Sequence, residues 1–222
     1  AIYDEKIKEL LDKGEAYHCF CSPDRLTEVR EQQQKEKLPP RYDRLCRDLS
    51  QEDVAEKINN GEIFTIRQKM PTEGEVVVHD ELRGDITFKA NELEDHVLIK
   101  SNGIPTYQFA SVVDDHMMNI THVTRAEEWI PSFPKNVLLY KSFNWDLPKF
   151  IHLPMVMNKE GGKLSKRQGD VAVEDFLKKG YLVEALINFN ALLGWSPYSE
   201  ETKDDKDVEI LDLEKLTKIF DY

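Results

Sequence analysis

Lys163, Leu164, Ser165, Lys166 and Arg167 follow a Gly161-Gly162 pair, so three cations and a hydroxyl stand behind two residues that free the backbone. A flexible cationic loop can close over a polyphosphate and neutralise charge developing on a departing pyrophosphate. The Gly-x-x-x-x-Gly-Lys-Ser/Thr phosphate-loop pattern is absent. An ordinary basic surface loop is the plain alternative. Cys19 and Cys21 stand one residue apart, with Cys46 further on. Cysteines so close rarely bridge each other, and an odd number cannot all pair within one chain, which points to thiol or metal chemistry rather than a disulfide framework. Arg125 follows a β-branched segment, and its guanidinium fork suits a substrate carboxylate; a structural ion pair with Glu127 or Glu128 is the alternative. Asp114, Asp115 and His116 read either as a metal or acid-base cluster or as hydrogen-bonding residues that shape a pocket.

The elements that must position these groups fall into two grammars. Ile7, Leu10 and Leu11 recur at helical spacing up to Gly14; Ser22-Pro23 opens a second helix that Pro39-Pro40 stops; Ser50 with Asp53 in the capping-box position opens a third, ending near Gly61. From Ile63 to Phe88 the stretches IFTIRQ, EVVVHD and DITFK alternate as short antiparallel strands, and Asn102-Gly103 between HVLIK and IPTYQF is a hairpin signal. Beyond Tyr107 the pattern predicts strand and helix in alternation: VVDDH and ITHVTR as strands, a helix from about Pro134 to Phe143, and a buried strand FIHLPMV, as in part of a parallel α/β sheet. Two helices follow, one through Phe176 and Leu177 and one from Leu182 to Leu193, and the acidic stretch from Ser199 to Asp207 reads as a solvated loop.

The chain has 222 residues, 40% hydrophobic and 32% charged, which excludes disordered and collagen-like classes for its bulk. No apolar run reaches the ~18 residues of a membrane span, and the opening residues lack the basic and apolar pattern of a signal peptide, so no membrane and a cytoplasmic setting are expected. A formal net charge of -12 argues against general nucleic-acid binding. Arg25, Arg30, Arg41, Arg44 and Arg47 form a local exception, either a basic patch for an RNA stem or partners for Glu28, Glu31, Asp43 and Asp48 on a solvated face.

KLSKR at Lys163 to Arg167 resembles the KMSKS signature of class I aminoacyl-tRNA synthetases, in the form usual for glutamyl-tRNA synthetases. RYDRLCR from Arg41, DELRGDITF from Asp80, TYQFASVVDDH from Thr106 and THVTRAEEW from Thr121 are similar to bacterial and organellar members of that family, in the same order. The resemblance covers essentially the whole chain. It implies an α/β fold: the second half of a class I Rossmann catalytic domain, preceded by an α+β acceptor-binding insertion and followed by a helical stem-contact region. The implied domains are 1–105 for the insertion, 106–156 for the Rossmann half, and 157–222 for the signature loop and stem-contact helices.

The resemblance further implies a glutamate–tRNA ligase. L-Glutamate is activated by ATP with Mg²⁺ to glutamyl-adenylate and then transferred to the end of tRNA(Glu), whose acceptor stem is the macromolecular partner. By the same resemblance Arg125, Tyr107 and Ser111 bind glutamate, although Asn often stands where this chain has Ser111. Glu128, Val156, Lys163, Leu164, Ser165, Lys166 and Arg167 face ATP; Lys163, Ser165 and Lys166 carry catalysis, with Lys166 the principal phosphate contact. Cys19, Cys21 and Cys46 resemble the family's Zn²⁺ site; its His is Asp48 here, and Tyr42, which matches a ligand of a related glutamyl-queuosine enzyme, is the alternative fourth donor. Three free thiols are the alternative to any metal. No HxGH-type signature is present, so an internal fragment is expected, inactive alone and requiring the N-terminal Rossmann half in cis or in trans. A glutamyl-queuosine tRNA(Asp) synthetase paralogue and a non-catalytic tRNA-binding fragment are the competing readings.

Overall fold

A computed structural model describes residues 2–157, 161–162, 172–198 and 209–220. It divides into two compact units, Ala1–Val123 with Ile130–Phe150 and Thr124–Trp129 with Ile151–Tyr222. The division runs through two neighbouring strands, β6 (His122–Ala126) and β7 (Lys149–Leu153).

In the first unit, α1 (Ile2–Asp12) buries Ile7 and Leu10, and Gly14 at φ 70° turns the chain into β1 (Ala16–Cys19). The helix α2 (Pro23–Lys35) starts on Ser22, whose hydroxyl accepts the Arg25 backbone N–H at 3.2 Å, and α3 (Gln51–Asn59) starts on Ser50, which accepts the Asp53 N–H at 3.0 Å. β1 pairs antiparallel with β2 (Thr65–Gln68), and β2 with β5 (Val97–Ile99), giving a three-stranded sheet in the order β1-β2-β5. A separate hairpin joins β3 (Glu75–Asp80) to β4 (Gly84–Lys89). Val76, Val78 and Asp80 of β3 face inward, and the Asp80 carboxylate accepts the N–H groups of Leu82 and Arg83 to close the turn.

Two helices seal this unit. The helix α4 (Tyr107–Met117) buries Phe109, Val112 and Val113, and α5 (Phe133–Phe143) buries Phe133, Val137, Leu139, Tyr140 and Phe143. The expected VVDDH strand is therefore a helix. Phe109, Val112 and Val113 stand at i, i+3 and i+4, so one helical face takes all three into the core, where an extended chain would send Val112 and Val113 to opposite sides. The predicted strand over ITHVTR, the helix beyond Pro134 and the strand over FIHLPMV correspond to β6, α5 and β7. Asn102 and Gly103 form a turn, but it leads from β5 to a single bridge between Ile99 and Pro105, after which α4 begins.

The second unit carries α6 (Val173–Lys178), α7 (Val183–Ala191) and α8 (Leu213–Ile219). Asn188 ties α7 to the chain entering α8: its amide donates to the Glu209 carbonyl at 2.7 Å and accepts the Leu211 N–H at 3.0 Å. No described helix is long and apolar enough to cross a membrane. The stretch Ser199 to Asp207, expected to be a solvated loop, lies outside the described residues.

Candidate functional site

The cysteines meet at one end of β1. Cys19 closes that strand, Cys21 precedes the Ser22 cap, and Tyr42 and Cys46 lie on the connection between α2 and α3, which a residue at positive φ, Arg44, bends back toward β1. Cys21 Sγ lies 3.6 Å from Cys46 Sγ, and Tyr42 Oη lies 3.2 Å from Cys19 Sγ and 3.7 Å from Cys21 Sγ. The three sulfurs all fall within 4.8 Å of one another, the one group of this kind among the described residues. A tetrahedral Zn²⁺ site with the usual bond lengths has S–S edges of about 3.8 Å and S–O edges of about 3.5 Å. The Cys21–Cys46 edge and the two edges from Tyr42 to Cys19 and Cys21 lie within a few tenths of an ångström of those lengths. Asp48 does not join them: its side chain is 86% exposed, with Lys69 Nζ at 4.0 Å. The turn that brings Cys46 inward carries the residue two positions on to the outside, so Asp48 stands away from the sulfurs and Tyr42 beside them.

The surroundings of the cluster are cationic. Arg25 Nη1 lies 3.3 Å from Cys21 Sγ and is held by an ion pair with Asp43, which draws the Asp43 carboxyl below the usual range. Arg67, 4% exposed, lies with its guanidinium carbon 3.9 Å from the centre of the Tyr42 ring and donates to the Asp95 carbonyl. Without a metal, hydrogen bonds from the Cys46 thiol first and from the Tyr42 hydroxyl hold Cys19 below the ordinary thiol range. Burial raises Tyr42. Two guanidinium groups beside the cluster would offset the negative charge of deprotonated donors were a metal held there.

Four of the five arginines of the predicted basic patch serve the fold. Asp95, fully buried, accepts from Tyr17 at 2.7 Å, Arg47 at 2.6 Å and the Met70 N–H at 3.1 Å, with Arg44 Nε at 3.4 Å. Arg41 donates to the Asn91 carbonyl, and Arg25 holds Asp43. The anticipated Arg25–Asp43 pair is present; Asp95, outside the local segment, is the partner the sequence did not reveal. His18 is half-buried with its ring edge against Phe64 at 4.8 Å, and burial lowers its pKa.

The residues assigned to substrates divide between the units. Tyr107 and Ser111 open α4 in the first unit; four positions apart, they share a helix face. Arg125 lies on β6 in the second unit, 6.0 Å from the Trp129 ring centre, and Glu128 follows in a 3₁₀ turn. The Glu127 carboxylate accepts the Met155 N–H at 3.4 Å, which ties the segment after β7 to the end of β6. Val156 lines an apolar cavity of about 500 Å³ with Phe176, Leu177, Leu186, Ile187 and Leu193. Asp114 accepts the Tyr3 hydroxyl at 2.7 Å, and His116 stacks on Trp145 at 3.7 Å, so both hold α4 in place. Lys163, Leu164, Ser165, Lys166 and Arg167 lie outside the described residues.

The model for the catalytic domain of class I tRNA synthetases (E and Q) matches residues 1–222. The chain belongs to that family. A glutamate–tRNA ligase of Finegoldia magna is 52% identical over 221 residues, covering 100% of this chain and 44% of the relative. One from Clostridioides difficile is 51% identical, covering 99% of this chain and 43% of the relative. Among solved structures, the glutamate-tRNA synthetase of Elizabethkingia anophelis superposes with a TM-score of 0.83 at 36% identity, covering 99% of this chain and 48% of that one. A glutamate tRNA ligase of Elizabethkingia meningosepticum, in complex with its amino acid, gives 0.84 at 36% identity over 99% of this chain and 47% of that one. The chain thus spans less than half the length of these members of the synthetase family.

Proposed function

We propose that this chain is the part of a glutamate–tRNA ligase that binds glutamate and one side of ATP and contacts the acceptor stem of tRNA(Glu). The observation that supports it is the 52% identity, over the whole chain, to a protein named glutamate–tRNA ligase. In this reading 1–105 is the acceptor-binding insertion, 106–156 the second Rossmann half, and 157–222 the signature loop with stem-contact helices. Arg125 pairs with a carboxylate of glutamate, and Tyr107 and Ser111 offer it hydroxyl groups. Glu128 and the Val156 backbone face the nucleotide in this reading, and Leu164 and Arg167 of the signature sequence are assigned to it as well. The glutamate α-carboxylate attacks the α-phosphate in line. Lys166, supported by Lys163 and Ser165, stabilises the charge that grows on leaving pyrophosphate, and Mg²⁺ shares that work. No protein nucleophile is required, because both half-reactions rest on positioning and charge.

Cys19, Cys21, Cys46 and Tyr42 hold one structural Zn²⁺ in this reading, which would cross-link β1 to the connection before α3; the gathering of the three sulfurs within 4.8 Å and the Tyr42 oxygen beside two of them support it. The test of the ligase reading is aminoacylation by the protein that carries this chain, with labelled glutamate and each purified tRNA. Ester-linked glutamate on the end of tRNA(Glu) is expected. Glutamate delivered only to a queuosine base of tRNA(Asp), or none delivered at all, would overturn it.

A further inference from the structure

We infer that Cys21 and Cys46 form a peroxide-oxidisable dithiol, a modification site at the mouth of the cysteine cluster. Three observations carry it. First, the two sulfurs lie 3.6 Å apart, so closure to the ~2.05 Å of a disulfide asks for a shift of side chains rather than of elements. Second, access differs among the thiols. Cys19 is 1% exposed at the end of β1, whereas Cys21 is half-buried and opens, beside Cys46, onto a cavity of about 420 Å³ lined by Phe20, Arg25, Leu49 and Lys57. Third, the Arg25 guanidinium stands 3.3 Å from Cys21 Sγ and is fixed by Asp43, which leaves a held hydrogen-bond donor at the sulfur an oxidant reaches first.

The chemistry balances with hydrogen peroxide as the oxidant. The Cys21 sulfur attacks one peroxide oxygen, the O–O bond breaks, the departing hydroxide takes the Cys21 thiol proton to leave as water, and Cys21 becomes a sulfenic acid. Cys46 sulfur then attacks the Cys21 sulfur, the S–O bond breaks, and the departing hydroxide takes the Cys46 thiol proton to leave as a second water. Two thiols are oxidised by two electrons and one peroxide is reduced. Cys19 is kept from the bridge by its burial and by the poor geometry of a disulfide between cysteines one residue apart. The pairing needs no metal; its further consequence, that oxidation removes two of four donors and expels the ion, rests on the Zn²⁺ reading above.

The test uses the whole chain. Metal-free, reduced protein is treated with equimolar hydrogen peroxide, remaining thiols are capped with iodoacetamide, and the non-reduced tryptic digest is mapped by fragmentation mass spectrometry. A bridge between the peptide ending at Arg25 and the one holding Cys46 is expected, with the alkyl cap on Cys19. It should persist in Cys19→Ser and vanish in Cys21→Ser. A bridge that uses Cys19, or Cys21 driven to sulfinic acid while Cys46 stays free, overturns the inference. A parallel sample loaded with Zn²⁺ is followed with a chromogenic chelator. Release of zinc in step with bridge formation supports both readings. A chain that never takes up zinc yet forms the Cys21–Cys46 bridge sinks the metal reading alone and leaves the dithiol standing.

Discussion

His96 gives the sharpest handle on how the first unit is held together. It is 9% exposed, just before β5, and neither ring nitrogen meets a hydrogen-bond partner among the described protein groups. Burial first, and then the charges of Lys135 and Arg67, push its pKa down to about 3. In the unfolded chain the ring returns to ~6.5, so below that pH the unfolded state binds a proton that the folded state refuses. Stability is therefore complete above pH ~6.5 and falls as pH drops toward about 3, by ~2 kcal/mol at pH 5 from this group alone. Carboxylates add their own pH dependence, so the assay is a difference. Urea unfolding of the parent chain and of His96→Phe and His96→Gln is followed between pH 7.5 and pH 5, with the first unit reported by fluorescence of Trp145, which stacks on His116 and Phe143. Both variants remove the titration, one filling the site and one keeping it polar. The parent should lose about 2 kcal/mol more than either variant over that interval. A difference that stays flat with pH, or an NMR titration placing His96 near its ordinary value, refutes the reasoning.

Other outcomes follow from the same geometry. Elemental analysis of chain never exposed to chelator should find about one zinc per molecule; Tyr42→Phe should lower zinc affinity by about 10- to 100-fold, while Asp48→Ala should leave it unchanged. Asp95→Ala strips Arg47, Tyr17 and the Met70 N–H of their shared acceptor and should destabilise the first unit by roughly 3–5 kcal/mol, read as a fall in the denaturant midpoint. Asn188→Ala breaks both hydrogen bonds joining α7 to the chain before α8 and should cost about 1–3 kcal/mol, seen as faster amide exchange at Leu211.

What could be read in advance was local. The Ser50 cap and the Gly14 stop are written within a few residues, and both stand where those residues place them. VVDDH misled because paired β-branched residues look like a buried strand until Phe109 is included in the spacing. The strand β1 went unread because its four residues hold a cysteine and a histidine, and only pairing with β2, far along the chain, keeps them extended. The same distance in sequence hid Asp95, which turns Arg44 and Arg47 inward, and Arg67, which lies over Tyr42. Arg25, Arg30, Arg41, Arg44 and Arg47 left an RNA-facing patch and a paired face both open, because charge alone does not tell a solvated guanidinium from one serving a buried acceptor. The cysteine spacing grouped three thiols that do lie together, but which of Asp48 and Tyr42 stands beside them depends on the way the turn at Arg44 faces.

The most direct test of the ligase account is glutamate-dependent exchange of pyrophosphate into ATP, measured on protein that carries this chain within the length its relatives have, as parent, Arg125→Ala and Lys166→Ala. Arg125→Ala should raise the glutamate concentration needed for half-maximal rate, and Lys166→Ala should lower the rate itself by about 10²–10³-fold at saturating substrates. Unaltered exchange in both variants would contradict the account.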